Sequence, residues 1–308
     1  MRTAAGHFGC EGTTNTINSQ FPGGIEKRAW IMIVIRAREF PGFDGRIELA
    51  RHRVFLGTGA LLFLTSVATT IYFCQSMSGG MAMPGGWTMS MAWMIMPGQR
   101  WLVSAVSFMG MWVVMMAAMM LPALVPALLR YRLSFRGVQT IHLNVLTVLA
   151  GAGYFFVWAL LGAFVYPVGV VAAKAEMVSA VLARSVPIAT GAVLLLAGCV
   201  QLTAWKARQL CRCLAVPASA QALNQDARRA WGRGIRLGAD CALCCSGLMA
   251  VLLITGVMNL GAMALVTVAI AAERLFPGPG RAARGIGLVI IAVALFITGR
   301  ALSAHFSL

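Results

Sequence analysis

From Val54 onward, apolar stretches of about 20 residues alternate with short polar connectors, and about 20 residues at 1.5 Å each is what roughly 30 Å of hydrocarbon requires. The pattern predicts helical spans over 54–74, 101–129, 143–172, 186–205, 238–258, 261–276 and 285–303. The expected fold is therefore all-α, a polytopic transmembrane helical bundle of six or seven spans. The count turns on whether the short segment 261–276 crosses fully.

Residues 1–53 break this pattern. They hold eight Lys or Arg and five Asp or Glu, with Gly and Pro interrupting any period, and read as a poorly ordered cytosolic arm. Residues 54–308 form the expected membrane domain. No secretory leader is read in the arm, since the short run Ile31 to Ile35 lacks a small-residue cleavage pattern after it.

Composition agrees with a lipid environment. The 308 residues are 59% hydrophobic and 11% charged, too little charge for a water-facing surface. A formal charge of +16 would suit nucleic acid, but the basic residues sit in short connectors and form no continuous stripe. They read as topology determinants, so nucleic acid is not expected as a partner and the lipid bilayer is.

Arg51 and Arg53 precede the first span while only Arg100 separates the first two, which puts the amino terminus in the cytosol. Basic residues then alternate in density from connector to connector. The loop 206–237 carries seven of them and is assigned to the cytosol, and 75–100 to the outer side. With arginine outnumbering lysine 22 to 3, a bacterial inner membrane is the expected setting.

Sulfur changes the picture most. Thirteen of the nineteen methionines lie between Met77 and Met120, and eight cysteines are scattered along the chain without the spacing of a secreted disulfide scaffold. Thioether and thiolate sulfur suit Cu(I) and offer little to Mg²⁺ or Ca²⁺. The outer connector, with Met81, Met83, Met89 and Met91, has glycines and prolines that forbid a long regular helix. It is a candidate collector of Cu(I) or Ag(I), or a mildly apolar loop on the membrane surface.

In the second span, a 100° advance per residue puts Met111, Met115 and Met119 on one stripe, with Met109, Met116 and Met120 on an adjoining one. Ala117 and Ala118 permit a close neighbour. The fifth span opens GADCALCCSGLM, where Cys241, Cys245 and Met249 share a face and Cys244 lies about 60° to the other side of Cys241. Reckoned from the cytosolic ends of the two spans, these groups reach compatible depths, so a shared soft-metal site is expected from Met115, Met116, Met119 or Met120 with Cys241, Cys245 and Met249. Packing is the competing reading, because methionine fills gaps and cysteine serves as a small hydrophobe in apolar interiors.

Cys211 and Cys213 form a C-x-C pair beside Arg212, whose charge would favour the thiolate. They are a candidate transfer point at the cytosolic surface. Glu273, at the cytosolic end of its span and followed by Arg274, is expected in an interfacial ion pair. His142 and His305 show no ligand spacing, and no nucleotide-binding or hydrolase signature occurs.

Three blocks, MWVVMMAAMMLPALVPAL, QLTAWKARQLCRCLAVP and CALCCSGLMAVLLITGVMNLGAMALVTVAIAAERLFP, resemble in order those of domain-of-unknown-function family 2182, over roughly Trp101 to Pro277. The family is described as predicted metal-binding integral membrane proteins, some labelled copper chaperone. The resemblance implies importance for Met115, Met116, Met119, Met120 and Pro122; for Lys206, Cys211 and Pro217; and for Cys244, Cys245, Met249, Gly256, Met258, Asn259 and Glu273. Ser246 stands where the family has tryptophan, and Arg274 where it has lysine.

The expected function is binding of a soft metal, copper as Cu⁺, by a membrane chaperone or transfer component, with a metal-accepting membrane or periplasmic protein as partner. The alternatives are a membrane thiol-disulfide oxidoreductase using the same cysteines and a structural assembly factor whose methionines only pack. No catalytic residue is assigned.

Overall fold

A computed structural model describes residues 53–76, 80–83, 87–90, 93, 100–133, 135, 139–214, 226–275 and 279–306. Among them are eight helices: α1 (Arg53–Ser76), α2 (Trp101–Leu133), α3 (Thr140–Val178), α4 (Ala180–Leu202), α5 (Ala204–Leu214), α6 (Ala227–Thr255), α7 (Leu260–Leu275) and α8 (Pro279–Phe306). The fold is an all-α polytopic bundle. Six helices, namely all but α5 and α7, are long and apolar enough to cross a membrane. The short segment 261–276, on which the count of six or seven turned, is α7, with 16 residues, and is not among the six.

Helix boundaries outrun the apolar stretches. α3 continues to Val178 because Ala, Lys and Glu, good helix formers, follow the apolar run, and α6 starts at Ala227, eleven residues before the expected span. The basic loop expected over 206–237 is thus largely helical. Arg228, Arg229, Arg233 and Arg236 lie on the first turns of α6, and α5 carries Lys206 to Arg212. In the outer connector, β1 (Gly80–Met83) pairs antiparallel with β2 (Trp87–Ser90), Met81 opposite Met89. Met91 and the 1–52 arm lie outside the described residues.

Lipid-type surface lies outside and the core lies around α2. Leu61, Leu64 and Tyr72 of α1, Phe164 of α3 and Phe296 of α8 are exposed, as apolar side chains facing hydrocarbon should be. α2 buries Met111, Trp112, Met115, Met116, Met119, Met120 and Leu124. Pro122 and Pro126 interrupt its ladder, since neither has an N–H for the carbonyl four residues back.

Two local features fix the packing that matters for chemistry. α3 and α6 meet through a glycine seam: a Cβ on Gly234 would lie 2.1 Å from the Ala150 carbonyl oxygen, and one on Gly153 2.6 Å from that of Trp231. Only glycine allows this approach. Between α6 and α7, Gly256 takes φ 106°, a left-handed conformation that ends α6, and Asn259 Oδ1 accepts from the Ala262 N–H at 3.0 Å to start α7. The reversal is tight.

Candidate metal centre

Cys241 lies fourteen residues before the end of α6, and Arg274 fourteen after the start of α7. At 1.5 Å per residue each spans about 21 Å, so the turn at Gly256 returns Arg274 to the level of Cys241. Its Nη2 donates to Cys241 Sγ at 2.8 Å and reaches Cys213 Sγ at 3.5 Å. One guanidinium therefore joins thiols from α5 and α6.

Cys241 is the hub of the arrangement. Fully buried, it points its thiol at Met120 Sδ on α2, 3.9 Å away, and the equally buried Cys245 follows one turn later on the same face of α6. The Tyr154 hydroxyl lies 3.0 Å from the same sulfur, carried there by the α3–α6 glycine seam. Two sulfurs from two helices thus meet in one buried place, with a third one helical turn along.

Cys244 departs from this group. Its thiol is hydrogen-bonded to Cys213, which is 7% exposed and not at the surface where the C-x-C reading put it. The 60° offset from Cys241 is what turns Cys244 toward α5. That hydrogen bond, then burial, pushes the Cys213 thiol up, with Arg274 opposing. The expected lowering by Arg212 is thus reversed; Arg212 is exposed to solvent and Cys213 faces inward. Cys211 lies on the backbone of α5, and its side chain is outside the described set.

Beneath the thiols sits a charge pair. Lys206 Nζ binds Glu273 Oε2 at 2.8 Å and also donates to the Cys244 carbonyl, while Gln201 Nε2 donates to Glu273 Oε1 at 2.7 Å. Lys206 and Glu273 are each 2% exposed, so the pair is enclosed within the bundle, and the partner of Glu273 is Lys206 and not its neighbour Arg274. The pair ties α4, α5, α6 and α7 together. With both carboxylate oxygens satisfied, burial of the charge is tolerated.

Met111, Met115, Met116, Met119 and Met249 are buried in the same core cluster, with Met120 alone in polar contact with Cys241. Met81, Met83 and Met89 lie on the hairpin strands, whose side chains are not described. Among the described residues, no three His, Cys, Asp or Glu side chains converge as a ligand set, so a site of three or more ligands there would include a methionine. A cavity of about 40 Å³ leads to the cluster, lined by Pro122, Pro126, Arg130, Cys213 and Arg274 among others. That is room for water.

Sequence reasoning missed Tyr154, Gln201 and Arg274 as parts of the centre. For Arg274 a signal existed, the equal fourteen-residue arms on either side of the Gly256 turn. Nothing in the sequence singled out Tyr154.

Helices of spanning length packed around buried thiols, thioethers and a compensated charge pair define a polytopic membrane protein with a sulfur-rich core. The chain belongs to the family described as PpoB2, copper chaperone, whose model matches residues 109–297 and thereby covers α2 to most of α8. This is the membership that the three sequence blocks led us to expect. No curated protein and no solved structure matches the chain.

Proposed function

We propose that this protein binds Cu(I) between α2 and α6, with Cys241, Cys245 and Met120 as the inner ligands, and passes it across or out of the membrane to a partner protein. The observation that carries this reading is the 3.9 Å approach of Cys241 Sγ to Met120 Sδ, with the buried Cys245 one turn further along the same face of α6. Low-coordinate sulfur is what Cu(I) accepts, and membership of a copper-chaperone family supports the metal. The chemistry asked of the chain is ligand exchange, so the role is non-enzymatic.

The other sulfurs fit a path. Met111, Met115, Met116 and Met119 line α2 from the outer connector inward, with Met249 on α6 beside them. The hairpin bearing Met81, Met83 and Met89 would gather the ion, together with Met91 beyond it. Cys244 and Cys213 would then relay it to the cavity that Arg130 borders. By the distribution of basic residues, that cavity faces the cytosol of a bacterial inner-membrane protein with a cytosolic amino terminus.

The test is anaerobic Cu(I) titration of the purified protein against a competing chelator. Replacing Cys241, Cys244 and Cys245 by serine should lower affinity at least tenfold; unchanged stoichiometry and affinity would reject the site. The hydrogen-bonded thiols of Cys213 and Cys244 favour a second reading, a thiol-disulfide oxidoreductase. It requires thiol turnover that persists in copper-free protein.

A further inference from the structure

The charges around Cys241 do more than bind. A thiol must lose its proton to ligate a metal, so a site of Cys241, Cys245 and Met120 contributes two negative charges. With a monovalent ion the complex carries −1, and with a divalent ion it carries zero. Arg274 adds +1 from 2.8 Å, and its guanidinium does not deprotonate in proteins.

Among the groups hydrogen-bonded to the cluster the remaining charges cancel, and Asp240 beside Cys241 on α6 and Arg130 on the cavity wall are of opposite sign. Lys206 and Glu273 cancel each other at 2.8 Å, and Met120 and Tyr154 bring no charge. Glu273, the nearest carboxylate along the chain from Arg274, gives both its oxygens to Lys206 and Gln201. The sum is then zero for a monovalent ion and +1 for a divalent one. Net charge in a buried, low-dielectric place is costly.

We infer that Arg274 is a specificity-determining residue, its fixed charge beside Cys241 matching the thiolate pair to a monovalent soft cation and against divalent ions such as Zn(II) or Cd(II). This rests on the metal reading above. Recruiting a third thiolate would restore neutrality for a divalent ion; Cys213, 3.5 Å from the same guanidinium, is a candidate for it, and its removal separates that route from the effect of Arg274. Arg274 also lines the cavity beside Cys213, so the same charge faces that space.

Ag(I) and Cd(II) are suitable probes, both soft and neither redox-active here. Their affinities for the purified protein would be measured anaerobically by competition, in the wild type, Arg274→Lys and Arg274→Gln, and again in a Cys213→Ser background. The wild type should prefer Ag(I) over Cd(II) at least about a hundredfold more than dithiothreitol does in water, a lower bound on the effect of one unit charge about 5 Å away at an effective dielectric of about 20. Arg274→Lys should keep that preference and Arg274→Gln should lose it, in both backgrounds.

A preference unchanged in Arg274→Gln overturns the inference and leaves the copper site standing. Should Arg274→Gln fail to fold, a wild-type preference no greater than that of dithiothreitol overturns it equally. Failure of Cys241→Ser to alter binding of either ion overturns the site itself, and the inference with it.

Discussion

Two interhelical junctions of this bundle are packed with equal economy and differ in everything else. Along α4 and α8, small residues let backbones touch: a Cβ on Gly198 would lie 3.1 Å from the Gly287 carbonyl oxygen, and one on Gly191 2.1 Å from Thr298 Oγ1. Cys199, the cysteine on α4, is exposed there. Where α2, α5, α6 and α7 meet, the same closeness is spent on thiols, a thioether, an arginine and a buried ion pair. Tight packing alone therefore does not mark the site. Polar groups with fully assigned partners do, because burying them needs a reason that apolar packing would not supply.

The sharpest way to break the comparison is at the ion pair. Lys206→Met should leave Glu273 buried without a counter-charge and cost about 3–5 kcal/mol, and Lys206→Met with Glu273→Leu should recover much of it. Thermal or denaturant unfolding in detergent reads both. Equal loss in the single and double variants would refute the account.

Next in size is a lesion in the other junction. Gly198→Val should overpack α4 against α8 and cost about 1–3 kcal/mol, yet leave the copper bound per folded protein unchanged. Loss of copper in that variant would mean the junctions are not separable.

Cys241→Ser inverts the pattern. Copper affinity should fall at least tenfold while stability changes by about 1 kcal/mol or less, since the cavity and the helix are kept. A variant that unfolds but still binds would contradict the assignment of Cys241 as hub.

The two smallest effects concern cysteines. Alkylation of Cys213 at neutral pH should be slower than that of an unperturbed thiol, because hydrogen bonding and burial push its thiol up and keep it protonated. Fast modification would place it at the surface after all. Cys199→Ser should change stability by no more than about 0.5 kcal/mol and copper affinity not at all, as titration and melting would show.

Much of this was legible in the chain. Apolar run lengths fixed the spans, and the 100° period placed Cys241, Cys245 and Met249 on one face, with Cys244 turned off it. Charge spacing was less reliable: the arginines of 228–236, read as a loop, are helical, because arginine is a good helix former and its charge says nothing against a helix. The pairing of Glu273 was misread for a related reason. Adjacency along a helix puts Glu273 and Arg274 about 100° apart, so they point to different neighbours, Lys206 and the thiols.

By itself the sequence determined that this is a membrane bundle, where its long apolar stretches lie, which family it joins and which sulfurs are candidates, since all of these follow from local composition, period and motif. Only the tertiary structure decided that Cys241 meets Met120, that Cys244 meets Cys213, and that Arg274 stands between them. The period of a helix sets the angle of each side chain about its own axis. How that axis is rotated and slid against its neighbours is set by distant contacts, here the Gly153–Gly234 seam, the turn at Gly256 and the Lys206–Glu273 pair, and no local pattern encodes their joint outcome.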